Sequence, residues 1–490
     1  MSNFVKRISD YGYIEYFCVS VVLLLGIVVR IYKIDSPLAD WHSWRQADTA
    51  SVTRNFIDFG LEPLYPRYHD ISSIQTGSFN PKGYRFVEFP IYNILHMVVF
   101  RLSGSLDLEV AGRSVSIAAA TFSALAIYLL SKRILGKWGG ITAAFFYALI
   151  PFNVYFTRVI LPDPLAVCFS VWSVYLFYVY IEEKKRLNLV LSGILFSLAM
   201  LTKPFAIFYA VPIGYLALKE YGIKGVFKNK LLLLTVDIAL IPFLLWRIWI
   251  NQFPEGIAHM KWMYNGDGIR FKPAFWRWIF GERIGKLILG IWGIFPFAAG
   301  VIAKNIGGKR GRDFLCSFLT GMFLYLSVIA TANVRHDYYQ TFLVPVIAIT
   351  LAYGCIYLWT EKSVKSGLTK GMILFCVFLM FGIGLYEAKE FYKINDYAII
   401  EAGRAARQVI PEGSLVIAPY NGNTAFLYQT GRWGWPVVNE SIEKMIEKGA
   451  RYYISTDLGS PDTLNFSSKF ETVDSGGNYI ILNLGKAREQ

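Results

Sequence analysis

A polytopic α-helical membrane protein with a small α/β domain at its carboxyl end is the fold class this sequence predicts, and three observations carry the prediction. Of the 490 residues, 54% are hydrophobic and 17% charged, and the mean hydropathy is +0.40, which is apolar for a water-soluble domain. The apolar residues gather into runs near the ~20 residues that cross a bilayer, instead of spreading at amphipathic spacing. After Tyr386 the composition changes to that of a soluble domain, with short β-like runs alternating with helical ones.

The first run, 14–30, follows Lys6 and Arg7 as the apolar region of a signal peptide would. No small-residue cleavage site comes after Val29, and the chain continues through Arg30 and Lys33, so a retained first helix is expected. Together the runs predict about eleven spans, near 14–33, 111–131, 139–155, 163–181, 188–202, 204–218, 231–250, 286–303, 313–331, 341–360 and 371–387. Basic clusters recur at every second connection: Lys6/Arg7, Lys132/Arg133/Lys137, Lys184/Lys185/Arg186, Lys219/Lys224/Lys228/Lys230, Lys304/Lys309/Arg310/Arg312 and Lys362/Lys365/Lys370. The alternate short connections hold only Arg158, Lys203 and Arg335, about nineteen basic residues against three. The positive-inside rule therefore puts the amino terminus in the cytoplasm and the carboxyl-terminal domain outside, as for a multi-pass protein of the plasma (inner) membrane. Topology also accounts for most of the net charge of +14, so nucleic acid is not expected as a partner. Cys18, Cys168, Cys316, Cys355 and Cys376 all fall in expected spans, without metal-ligand spacing.

Two outer segments are long. The first is 34–110; the second, 251–285, mixes Trp262, Tyr264, Trp276 and Trp278 with cations, a composition suited to the headgroup region. Within the first, 89–102 is short and carries Asn93 and His96, so a juxtamembrane helix is expected there. From 388 to 490 an extracytoplasmic α/β domain is expected, with helices at 393–408 and 441–448 and strands at 414–418, 452–455 and 479–482. Its stretch 431–436 reads as a turn bearing Trp433 and Trp435, which are either core or a platform facing substrate.

The conspicuous polar residues lie in the expected outer loops. Asp40, His42, Arg45, Gln46 and Asp48 crowd just after the first span. Asp40 stands where a helix N-cap would, but the cluster is denser in hydrogen-bonding groups than a cap requires. Arg158 lies in the loop before the fourth span and Asp163 opens that span, where it is again explicable as a cap. Lys203 is a lone cation on the side the positive-inside rule disfavours, either a snorkelling anchor or a phosphate contact. His336, Tyr338, Tyr339 and Gln340 cluster before the tenth span. By the derived orientation these loops share one face of the membrane. Two carboxylates with cations suit a base that deprotonates a nucleophile and a positive charge that stabilises a departing phosphate.

At these residues the sequence resembles the C-type glycosyltransferases, in particular relatives of the protein O-mannosyltransferases and of the lipid A aminoarabinose transferases (glycosyltransferase family 39-like), over about 10–390. The resemblance implies that Asp40 is the catalytic base and that Asp163 orients the site or, as in some members, helps hold a divalent cation. It implies a carrier-phosphate contact at Lys203 in Leu-Thr-Lys, and matches His336, Tyr338 and Tyr339 to a His-x-Tyr-Tyr motif. Two departures stand out. Asp40 is followed by Trp41 where an acidic partner is usual, so Asp48 competes for the base role; and Glu88-Phe89-Pro90 stands in place of a basic residue before a Pro-Pro pair, so that a phosphate contact is either missing or replaced by Arg85.

The function this implies is transfer of a hexose or pentose from a polyprenyl-phosphate donor to a lipid, glycan or protein acceptor at the outer face, with at most a weak dependence on a divalent cation, which Asp40 and Asp163 would hold. The competing reading is a transporter or flippase of a lipid-linked sugar. Transporters show internal repeats and broken midplane helices; here no repeat is visible, and among acidic residues only Asp237 lies deep in an expected span.

Overall fold

The computed structural model describes residues 13–303, 307–360 and 366–488. The basic residues Lys6, Arg7, Lys304, Lys362 and Lys365 lie outside them. The chain forms two compact units.

The first unit takes in the chain up to Tyr32, Ser114–Trp246 and Met260–Glu390, and it is almost wholly helical. Among the described residues six helices are long and apolar enough to cross a membrane: Tyr13–Ile31, Leu108–Leu149, Asp163–Glu183, Lys230–Ile250, Asp337–Thr360 and Gly367–Tyr392. The other five expected spans are also helical, and local chemistry explains why each is shorter or interrupted. Span 139–155 is continuous with the one before it in Leu108–Leu149, a helix turned at Gly136, where φ is 75°. The next two meet at Pro204, which ends Arg186–Thr202 and starts a 3₁₀ turn, Pro204–Tyr209. Stretch 286–303 is split between Arg277–Ile288 and Ile294–Ile302. Gly308–Val328 begins with Lys309, Arg310, Arg312 and Asp313.

Small and hydroxyl residues join these helices. Ser173 and Ser192 each donate to the other's backbone carbonyl, at 2.9 and 2.8 Å, which ties Asp163–Glu183 to Arg186–Thr202. Where Ile294–Ile302 crosses Val344–Thr360, a Cβ on Gly354 would lie 1.7 Å from the Pro296 carbonyl oxygen, so only glycine permits the contact.

The second unit takes in Lys33–Arg113, Arg247–His259 and Phe391–Gln490. Its sheet has five strands, β1 (Leu415–Ile417), β2 (Gly434–Trp435), β3 (Ala450–Ser455), β4 (Phe470–Gly476) and β5 (Tyr479–Ala487), in the order β2-β1-β3-β5-β4. The β2-β1-β3 side is parallel, and helices Ala425–Thr430 and Ile442–Glu447 lie in its crossovers; β5 pairs antiparallel with β3 and β4. Residues 69–71 add to this sheet: the amide of Ile71 donates to Gly434 O and that of Gly434 to His69 O, both at 2.9 Å. Residues 34–110, expected with the membrane part, thus share a unit and a core with 391–490.

The stretch 431–436 is more ordered than a turn. Gly434 and Trp435 are strand β2, and Trp435, 1% exposed, stacks on Phe79 at 6.3 Å. Trp433 packs edge-on against Phe59. Trp435 is therefore core, and the half-buried Trp433 packs against the same cluster. Segment 89–102 forms the helix Ile91–Ser103. At 13 residues it spans about 20 Å, short of a hydrocarbon core of about 30 Å. Asn93 ties it to helix Ser43–Asp58 by donating to Thr49 O at 2.7 Å.

Candidate active site

In the second unit the chain enters helix Ser43–Asp58 through His42, which is left-handed (φ 53°) and provides no side-chain cap. The cap position is therefore His42, two residues beyond Asp40. The Asp40 carboxylate instead accepts from Gln46 Nε2 at 2.7 Å and is 1% exposed. Arg45 pairs with Glu88, and the His42 ring lies edge-on to Trp41 at 5.2 Å.

Asp48 has a different environment. One oxygen accepts from Arg85 at 2.8 Å and Gln75 at 3.2 Å, the other from the Thr424 hydroxyl at 2.7 Å, and none of its surface is exposed. Arg85 also donates to Gln75 at 2.7 Å and lies over the Tyr68 ring. Close by is Asp70, which accepts from Ser72 N at 2.8 Å. Burial pushes its pKa up to about 6, against the lowering effect of the Ser72 bonds. Burial, together with the cations Arg54 and Arg432, pushes the His69 imidazole well below its ordinary value.

In the first unit, Asp163 opens helix Asp163–Glu183 and receives Lys203 Nζ at 3.2 Å; the pair is 0% and 5% exposed at the side chains. Pro204 forces Lys203 into an extended backbone (φ −158°), which turns its side chain out of the helical path. A lysine so buried and paired is not a snorkelling anchor. Its ammonium stands 5.7 Å from the Tyr339 ring. Tyr338 and Tyr339 are buried, with ring centroids 4.3 Å apart, and the half-buried His336 stacks on Tyr338 at 5.6 Å and meets Trp262 edge-on at 5.7 Å. Arg158 is fully buried, 5.9 Å from the Tyr155 ring.

The predicted residues thus fall into two sets, Asp40, His42, Arg45, Gln46, Asp48, Arg85 and Glu88 in one unit, and Arg158, Asp163, Lys203, His336, Tyr338 and Tyr339 in the other. Sequence reasoning passed over Asn395, Thr424 and Gln429, which contact the 38–48 segment, and Asp267, which bridges Arg335 at 2.9 Å and Thr331 at 2.7 Å. These are polar residues in unremarkable sequence surroundings, far along the chain from their partners, and no local spacing marks them.

The donors present do not suit the divalent cation considered for Asp40 and Asp163. Asp163 already holds an ammonium, Asp40 holds an amide, and among the described residues no three His, Cys, Asp or Glu side chains gather as a ligand set.

Residues 89–249 match the family described as dolichyl-phosphate-mannose-protein mannosyltransferase. No curated protein matches in sequence. Among solved structures the chain is similar to ArnT from Cupriavidus metallidurans bound to undecaprenyl phosphate, at 12% identity and a TM-score of 0.63, over 98% of this chain and 100% of that one. The apo state of the same protein gives 13% identity and a TM-score of 0.65, over 98% and 99%. The archaeal oligosaccharyltransferase AglB from Archaeoglobus fulgidus, in complex with an inhibitory peptide and a dolichol-phosphate, is 10% identical with a TM-score of 0.60, over 96% and 74%. The chain is thus an integral membrane protein that shares the fold of ArnT and AglB over nearly its whole length, and its residues 89–249 match the mannosyltransferase family.

Proposed function

We propose that the protein transfers a hexosyl or pentosyl group from a polyprenyl-phosphate donor to a lipid, glycan or protein acceptor at the outer face of the plasma (inner) membrane. The observation that carries this reading is the fold shared over 98% of the chain with a protein bound to undecaprenyl phosphate. Its corollaries are a cytoplasmic amino terminus and an extracytoplasmic 388–490, as the basic clusters imply.

The residues divide the work. Asp40 is the general base: it takes the acceptor's proton as the nucleophile attacks the anomeric carbon, the carbon–oxygen bond to phosphate breaks, and the configuration inverts. Asp48 is less suited to that role, because a guanidinium, an amide and a hydroxyl already occupy its carboxylate. Lys203, supported by Arg158 and His336, neutralises the departing phosphate. Asp163 orients the Lys203 ammonium, 3.2 Å away. Arg85 is committed to Asp48 and Gln75, and so acts as structural support instead of a phosphate contact.

The test is sugar transfer by purified protein in detergent, where no compartments exist. Radiolabelled sugar leaving the carrier for an acceptor is the expected result. Carrier-linked sugar left intact by folded protein, but moved across a reconstituted bilayer, would mean a flippase.

A further inference from the structure

The segment that carries the proposed base is bonded at four consecutive residues by the carboxyl-terminal part of the same unit. Gln429 Nε2 donates to Leu38 O at 3.2 Å, Asn395 N to Ala39 O at 2.9 Å, and Asn395 Nδ2 to Asp40 O at 3.1 Å; the Trp41 amide donates to Phe391 O at 3.3 Å. Three successive carbonyls and the next amide are thus fixed by a chain segment some 350 residues away. The Trp41 ring stacks on Phe391 at 5.7 Å. A turn later the Thr424 hydroxyl, 4% exposed as a residue, lies 2.7 Å from Asp48 Oδ1 and 3.1 Å from Trp44 O. It thereby pins the first turns of helix Ser43–Asp58, on which Gln46 reaches back to the Asp40 carboxylate.

A loop free to choose its own conformation has no use for a hydrogen bond at each of four consecutive residues. We infer that Asn395, Thr424 and Gln429 are positioning residues for Asp40, so that the carboxyl-terminal segment sets the turnover of the membrane enzyme. This rests on the reading of Asp40 as the base. The contacts of this segment run to the backbone around Asp40, and a misplacement of about 1 Å at a reacting group costs up to about a hundredfold in rate.

Full-length Thr424→Val, Thr424→Ser and the double variant Asn395→Ala/Gln429→Leu test the inference, alone and combined with Asp40→Asn. Thr424→Val and the double variant should lower kcat about ten- to a hundredfold, with KM for donor and acceptor within about twofold, and Thr424→Ser should restore most of the rate. In the Asp40→Asn background neither should lower the residual rate further, because they act through the missing carboxylate. Unchanged kcat, a rise in acceptor KM alone, or losses that multiply with Asp40→Asn would overturn the inference while leaving the base in place. A fully active Asp40→Asn protein would instead remove the reading on which it rests.

Discussion

Asp40 and Asp48 are eight positions apart and equally plausible as letters, and their surroundings separate them. Asp48 is the buried counter-ion of Arg85; neutralising it leaves a guanidinium without its charge partner. Asp48→Asn should therefore destabilise the protein by about 3 kcal/mol, read as a lower unfolding temperature in detergent, while kcat per folded molecule changes less than for Asp40→Asn. A selective loss of kcat at unchanged stability would return the base role to Asp48. Asp70 supplies a pH dependence. Its carboxyl binds a proton more tightly in the folded protein, with a pKa of about 6, than at its ordinary value of 3.8. The folded state therefore holds more protons than the unfolded one through this window, and stability falls as pH rises from about 4 to about 6. Asp70→Asn should flatten that slope in unfolding scans from pH 4 to 7; a slope unchanged in the variant would assign it to other groups. Neither distinction was available from the string of residues, because each depends on Arg85, Gln75, Thr424 or Ser72 arriving from elsewhere.

Helices and strands with strong periodic signals were legible, and those without were not. The apolar runs located the helical segments, though not every break between them, and strands β1, β3 and β5 lie at 415–417, 450–455 and 479–487, the last longer than the expected 479–482. Strand β2 escaped because it is two residues long and starts with glycine, while β4, Phe470–Gly476, carries Glu471, Thr472, Asp474 and Ser475 on an edge that faces away from the core. Gly434 is required by the approach of β1: a Cβ there would lie 1.7 Å from Val416 O. Gly434→Ala should part β1 from β2 and destabilise the protein by about 1–3 kcal/mol, seen as faster proteolysis within 391–490 of folded, detergent-solubilised protein. Proteolysis at the rate of the unsubstituted protein would show that the sheet absorbs the methyl group.

Across the chain, the two units divide along a line that composition did not draw. The change after Tyr386 suggested a separate domain from 388, yet 33–113 and 247–259 share a unit with 391–490, since Ile71 and Phe79 complete a core that the carboxyl-terminal segment cannot close alone. Hydropathy sees each stretch in isolation and is blind to such long-range closure. Orientation, by contrast, depends on local charge. Protease added to intact spheroplasts should cut within 388–490, and protection until lysis would reverse the topology and move Asp40 and Asp163 to the cytoplasm.

The most direct measurement is single-turnover transfer of radiolabelled sugar from its polyprenyl-phosphate carrier by purified protein, with and without Asp40→Asn. Removal of a general base should slow transfer by about a hundredfold or more, with donor binding retained; near-normal transfer by the folded variant would contradict it.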